Sequence, residues 1–317
     1  MDYAKLPDTL RLNRLAPLTG KTRIVLDTDT YNEIDDQFAI VHALLSPEAM
    51  SVEAIYAAPF HNQRSSSPAD GMEQSYEEIL RLLDKLNWPQ SNFASPAALT
   101  TIDQFAYRGS TAFLDENLLP QENDAVHDLI QRALSSSDDD PLTVVAIGAI
   151  TNVASAILLE PTIMEKIIVV WLGGHAHHWP HTREFNLMQD TRAAQVLFDC
   201  GVPLVQLPCM GVVSHLHTTI PELDAHVAGR GEIGDYLVEI VKGYHDDHRA
   251  WSKQIWDVAA TAYVVNAEWT SSVLAHSPVL SDQRTWSVDQ QRHLIRYVWQ
   301  INRDKMFRDL FDKLADL

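Results

Sequence analysis

Cysteine is scarce in this 317-residue chain. Cys200 and Cys209 both lie in or beside apolar segments, and no CxxC pair occurs. That excludes a disulfide framework and suits buried free thiols in a reducing compartment. Basic residues are also in deficit: 24 Lys and Arg stand against 43 Asp and Glu, a formal net charge of −19. Such a balance disfavours a nucleic-acid backbone or an anionic membrane surface as partner and favours a small neutral ligand. There is no run of about twenty apolar residues, so no membrane span is expected. Met1 to Lys21 lacks the continuous apolar stretch of a signal peptide, which makes a cytoplasmic location the expectation. Internal repeats and low-complexity tracts are missing as well. What remains is a chain with 46% hydrophobic residues, expected to form a single domain over residues 1–317 around a sizeable core.

Acidic residues are plentiful and unevenly placed. The stretch Arg23 to Ile40 opens with an apolar run, Ile24 to Leu26, that reads as a buried parallel strand. Asp27, Asp29, Glu33, Asp35 and Asp36 follow, and then Phe38, Ala39, Val41, His42, Leu44 and Leu45 recur at helical spacing. Acids thus gather where a strand ends and a helix begins, the edge of an open α/β sheet at which ligands bind. Like charges a few ångströms apart raise one another's pKa or recruit a cation. An all-oxygen set suits a hard cation such as Ca²⁺ or Mg²⁺ better than zinc. The plainer alternative is a solvated loop whose Asp35 or Asp36 caps the helix.

The rest of the chain alternates strands and helices. Further strands are expected at Val52–Ala58, Leu142–Ile147, Ile167–Trp171 and Pro203–Leu207. Helices are expected at Met72–Leu86, Asp124–Leu134, Val153–Leu159, Thr191–Phe198, Pro221–Ala228, Ile233–Asp247, Trp256–Asn266 and Asp304–Leu317. Residues 1–20 read as an irregular lead-in, and residues 88–122 as a short strand with a long surface loop. This order predicts a mainly parallel, doubly wound α/β sheet of the open, Rossmann-like kind. The loop after Trp171 is rich in histidine: His175, His177, His178 and His181. These are candidates for proton transfer, because histidine titrates near neutral pH. An HxH…H cluster is also open to a zinc reading.

The blocks DTDTYNEIDDQFAI, Asn62, VVAIGAITNVASAI, GGHAHHWPHTREFN and WDVAATAY, in that order, resemble the inosine–uridine nucleoside hydrolases. The likeness runs from about residue 22 to 265. It implies a calcium-dependent enzyme that cleaves the N-glycosidic bond of ribonucleosides with water, in purine or pyrimidine salvage, and works as a homo-oligomer, a dimer or tetramer. It implies that Asp29 binds calcium and activates the water. Asp36, the main-chain carbonyl of Ile147 and Asp257 complete the calcium shell. Asp35, Asn62, Glu184 and Asn186 are implied to contact ribose. The chemistry is consistent with this, since glycoside cleavage passes through an oxocarbenium-like state that an acid cluster stabilises.

The chain departs from the family pattern at two places. The connection Thr30 to Ile34 is longer by two residues than the commoner Pro-Gly form, so that Asn32 or Glu33 is placed to add a contact. Trp256 stands where many members carry the histidine that assists the leaving base; tryptophan stacks on a base but cannot protonate it. Candidates for the missing acid are His178, which occupies the place of a ribose-binding Asn, and Tyr244 and His245, expected with His248 on the helix before Trp256. Two rival readings also fit the sequence. Asp27-Thr28-Asp29-Thr30 also resembles the start motif of the haloacid dehalogenases, which transfer phosphoryl groups. Trp256 is also compatible with a ribosyl-ligand binder that has lost turnover.

Overall fold

The computed structural model describes residues 6–89, 93–96, 99 and 101–317. Its strands, in chain order, are β1 (Thr22–Thr28), β2 (Met50–Ala57), β3 (Ala106–Arg108), β4 (Leu142–Ala146), β5 (Ile167–Leu172), β6 (Leu204–Leu207), β7 (His217–Thr218), β8 (Lys253–Gln254), β9 (Thr270–His276), β10 (Val279–Leu280), β11 (Trp286–Ser287) and β12 (Leu294–Ile301). The helices are α1 (Asp8–Arg14), α2 (Asp36–Leu44), α3 (Pro68–Lys85), α4 (Asp124–Ser135), α5 (Thr151–Leu159), α6 (Phe185–Gln189), α7 (Thr191–Cys200), α8 (Ile220–His226), α9 (Gly231–Lys242), α10 (Val258–Val265) and α11 (Arg303–Ala315).

Eight strands make one sheet in the order β3-β2-β1-β4-β5-β6-β12-β9. All neighbours are parallel except β12 and β9. The chain builds outward from β1 to β3, then returns to β4 on the other side of β1. That reversal leaves a crevice beyond the carboxyl ends of β1 and β4, where an open sheet binds its ligand. β5 shows why the sheet is buried on both faces. Ile168, Val170 and Leu172 join the core under α2, α10 and α11, while Ile167, Val169 and Trp171 join the core under α4, α5 and α7. An unbroken apolar run, rather than an alternating one, is what such a strand requires.

The expected α/β architecture is present, with differences at its margins. The lead-in contains a helix, α1, held by Arg11 Nε donating to the Gly201 carbonyl at 3.1 Å and by Arg14 to Glu165 at 3.3 Å. Long-range ties of this kind leave no local periodicity to read. α9 ends at Lys242, not Asp247, so Tyr244, His245 and His248 sit in the following turn. α10 begins at Val258, which puts Trp256 in the approach rather than in the helix. The antiparallel pair β9–β12 is an addition to the expected strands. Every residue of β9 is exposed or half-buried, and its sequence lacks the unbroken apolar run that marks the central strands. The expected short strand in 88–122 is β3; residues 90–92, 97–98 and 100 of that segment lie outside the described residues.

Candidate functional site

β1 delivers Asp29 to the crevice. The helix that follows, α2, has Asp35 at its N-cap and Asp36 as its first residue, and α10 has Asp257 at its N-cap. Neither Asp35 nor Asp257 caps its helix with its side chain. A capping carboxylate would accept a hydrogen bond from the first turn; these two point at each other instead. The positive ends of two helices therefore face the acid cluster and partly offset its charge. One carboxylate oxygen from each of Asp35, Asp36 and Asp257 lies within 4.8 Å of the others. Two ligands about 2.4 Å from one Ca²⁺ are at most about 4.8 Å apart, so the spacing fits a shared ion. Among the described residues this is the one such group, and the histidines of the 175–181 loop form none. The zinc reading of that loop is thereby lost.

Burial makes the cluster unstable as bare charge. Asp29 and Asp36 are fully inaccessible, and Asp35 and Asp257 are 3% and 4% exposed. Desolvation is the main cause that pushes all four pKa values up, with mutual repulsion next for Asp29, Asp36 and Asp257. Asp36 rises to about 8. Asp35 rises to about 6, held down by the nearby Lys253 ammonium. Thr28 Oγ1 donates to Asp36 Oδ1 at 2.5 Å, and the Trp256 amide to Asp35 Oδ2 at 3.2 Å. Asp36 Oδ2 and both oxygens of Asp29 are buried with no hydrogen-bond partner, although the nearby Asn32 side chain favours the charged form of Asp29. Orphaned, buried carboxylate oxygens are costly unless a cation meets them. The residues present fit a hard divalent cation.

Gly148 lets this happen. A Cβ there would sit 2.9 Å from the Asp29 amide nitrogen and 3.1 Å from its carboxyl carbon. The turn after β4 can therefore approach β1 only as glycine. Ile147 and Leu172 line the cavity above, and the carbonyl of each accepts from Asn186 Nδ2 at 3.0 Å. Asn186 thus ties the ends of β4 and β5 with its nitrogen, and its oxygen accepts no hydrogen bond among the described residues. Glu184 caps α6, accepting the amides of Asn186 and Leu187, and it also accepts the Gly174 amide at 2.8 Å. Burial still raises its pKa.

A cavity of about 630 Å³ opens over this floor. That is ample for a compound of nucleoside size. Asp35, Asn62, Ile147, Glu184, Asn186, Trp256, Asp257 and Tyr244 line it, while Asp29 and Asp36 lie beneath. Asn62 is engaged with its neighbours: its amide donates to the carbonyl and side-chain oxygens of Asn32, and its oxygen accepts from Arg64 N. Tyr244 Oη donates to Glu33 at 2.8 Å, and its pKa is pushed up to about 12, first by burial and then by that carboxylate. Its proton points at Glu33. The structure brings neither His178 nor His245 into the lining. His178 is exposed beside Trp179, and His245 is exposed and stacks on Trp251.

Arg64, Arg183, Cys209 and Met210 also line the cavity; none is a site candidate in the sequence, and Cys209 is expected there only as a buried thiol. Cys209 and Met210 follow β6 on the ligand-binding edge of the sheet, a signal the strand pattern already carried. Glu33 and Lys253 meet at 2.5 Å across the rim although they are far apart in sequence, and no local pattern announces that pair.

Fold and site together define an α/β protein with its ligand crevice at the sheet's switch point and a floor built for a hard cation. The chain belongs to the inosine-uridine preferring nucleoside hydrolase family, whose sequence model matches residues 24–308. It is 32% identical over 193 residues to the pyrimidine-specific ribonucleoside hydrolase RihA of Escherichia coli, a match covering 57% of this chain and 58% of that protein, less than two thirds of either. Among solved structures, a purine-preferring ribonucleoside hydrolase from Gardnerella vaginalis superposes with a TM-score of 0.73 at 18% identity, over 93% of this chain and 98% of that one. A plant nucleoside hydrolase gives 0.71 at 18% identity, over 93% and 99%. At such identity the structures show a shared fold. Membership of the family removes the haloacid-dehalogenase reading.

Proposed function

We propose that the protein hydrolyses the N-glycosidic bond of ribonucleosides to ribose and free base, with Ca²⁺ as its cation. The carrying observation is the shared spacing of Asp35, Asp36 and Asp257 beside the partnerless oxygens of Asp29, under a cavity of nucleoside size. Asp29, Asp36, the Ile147 carbonyl and Asp257 would hold the cation; the carbonyl has a second lone pair beyond the one Asn186 uses. Asp35 is close enough to share it and lines the cavity where a ribose hydroxyl would arrive. Bound Ca²⁺ would lower the pKa of water and anchor ribose hydroxyl oxygens.

The chain's own residues account for the remaining requirements. Asp29, whose carboxylate oxygens meet no protein hydrogen-bond partner, would accept the proton of the attacking water once the cation holds it ionised. The carboxylate floor stabilises positive charge as it develops on the ribose. Asn186 and Asp35 hold the sugar in register, and Trp256 offers its ring to the base. With His178 and His245 outside the lining and the Tyr244 proton committed to Glu33, departure of the base rests on stacking and hydrogen bonding.

A reducing-sugar assay over purine and pyrimidine ribonucleosides, with and without a chelator, tests the reading. Ribose release from at least one substrate, lost on chelation and restored by Ca²⁺, is expected. Ribose binding by calorimetry without release from any substrate would instead favour the non-catalytic binder. The same reading carries a homo-oligomeric state, to be measured by light scattering, and a reducing compartment, in keeping with two free buried cysteines.

A further inference from the structure

The cavity contains a histidine to which the mechanism above assigns no part. His175 is 8% exposed and lines the cavity. Its orientation is fixed from several sides. The backbone amide of His175 donates to Thr182 Oγ1 at 2.8 Å, and its carbonyl accepts from Trp286 Nε1 at 3.0 Å. Its ring lies 5.7 Å from the His181 ring and 6.4 Å from that of Trp179. Nδ1 accepts the Met210 amide at 3.3 Å. A nitrogen that accepts carries no proton, so the proton of the neutral ring is on Nε2. Nε2 has no protein partner among the described residues and is not sealed from the cavity.

The charge state follows from the surroundings. Burial, aided by the neighbouring His181, lowers the His175 pKa to about 4. Near neutral pH the ring is an uncharged donor and not a proton source. The floor of the cavity is made of acceptors, Asp35, Glu184 and Asp257, which suit sugar hydroxyls. An N–H donor suits the other half of a nucleoside, whose base displays carbonyl oxygens and ring nitrogens as acceptors.

We propose that His175 is a specificity-determining residue that presents Nε2–H to an acceptor atom of the substrate's base. This rests on the nucleoside reading of the same site. A donor locked in place discriminates strongly, because a base lacking the acceptor leaves it buried and unpaired. The role is to recognise the base; His175 transfers no proton.

The test compares wild type with His175→Phe and His175→Gln, following KM for uridine, cytidine, inosine and adenosine and the inhibition constant of ribose. His175→Phe is expected to raise KM roughly three- to tenfold for nucleosides that use the contact, the size of one neutral hydrogen bond. His175→Gln, which keeps an N–H, should recover part of the loss. Ribose inhibition should not move, since ribose has no base. A parallel rise in the ribose constant, or unchanged KM in His175→Phe, overturns the proposal. Imidazole ¹⁵N spectra of the wild type give a second reading that needs no folded variant: a proton on Nδ1 also overturns it. If the wild type releases no ribose, the function reading fails by itself, and the same comparison is then made by calorimetry with nucleoside and ribose as ligands.

Discussion

Lys253 Nζ meets Glu33 Oε2 at 2.5 Å, joining the acidic loop after β1 to the segment before α10. Tyr244 donates to the other oxygen of Glu33, and Arg64 donates to the carbonyls of Tyr31 and Glu33. Three loops are thus clasped at the cavity rim, through a residue of the connection that is longer than the common family form. Lys253 is nearly buried and also moderates Asp35. Lys253→Met removes the charge and leaves Glu33 with only tyrosine. A loss of roughly 1–3 kcal/mol is expected in a urea titration, the scale of a charged hydrogen bond in a partly buried pair. Glu33→Gln combined with Lys253→Met should cost less than the sum of the two single changes. Strict additivity would show that the two side chains are not coupled.

Asp29 gives a prediction in which activity and stability move in opposite directions. Asp29→Asn removes the proton acceptor, and turnover should fall about 10²–10⁴-fold, the range for loss of a positioned base. The same change removes a buried carboxylate that has no partner and repels Asp36 and Asp35. The metal-free variant should therefore melt no lower than the metal-free wild type. A variant that is inactive and also strongly destabilised would mean that Asp29 is mainly structural.

The pH dependence of the metal-free protein has a definite sign. Asp35 and Asp36 are raised from 3.8 to about 6 and about 8. Between the unfolded and folded values the native state holds more protons than the unfolded one, so stability falls as pH rises through that window. The contribution of these groups is complete below about pH 4, so the metal-free protein should lose stability from about pH 4 up to about pH 8 by calorimetry. Calcium competes with those protons, so its stabilising effect should grow from pH 5 to pH 8. At 100 times its dissociation constant the ion adds about 2.7 kcal/mol. A melting curve indifferent to both calcium and pH would count against the cation site.

The central strands and the acidic loop were legible because each carries its signal locally. Ile167 to Leu172 is an unbroken apolar run buried on both faces, and the acids sit between a strand and a helix in sequence as in space. What distinguished a cation floor from ordinary helix capping was not legible. Asp35 and Asp257 occupy cap positions yet withhold their side chains, and only the convergence of α2 with α10 shows why. The histidine loop went the other way. Its composition drew attention to four rings alike, whereas packing sends His178 to solvent, engages His177 with Gln206 at 2.9 Å and turns His175 to the cavity. The β9–β12 pair was hidden because partial exposure erased its periodicity.

His42, six residues along α2 from Asp36, bonds to both α10 and α11. It is fully buried on α2; Nδ1 lies 2.8 Å from Thr261 Oγ1 on α10, and Nε2 lies 2.8 Å from Asp309 Oδ2 on α11. Burial is the main cause that lowers its pKa, and Nε2, which faces a carboxylate, carries a proton and donates to Asp309. Asp36 lies at the start of α2 and Asp257 immediately before α10. His42→Ala leaves a cavity and removes two hydrogen bonds that tie α2 to α10 and α11, for which about 2–5 kcal/mol of destabilisation is expected. His42→Gln keeps polar contacts and should lose less. The informative readout is calcium affinity measured by calorimetry on folded protein. If His42 registers the helices, His42→Gln weakens calcium binding while leaving the site's side chains in place. An unchanged affinity in a variant of lowered stability would confine His42 to the core.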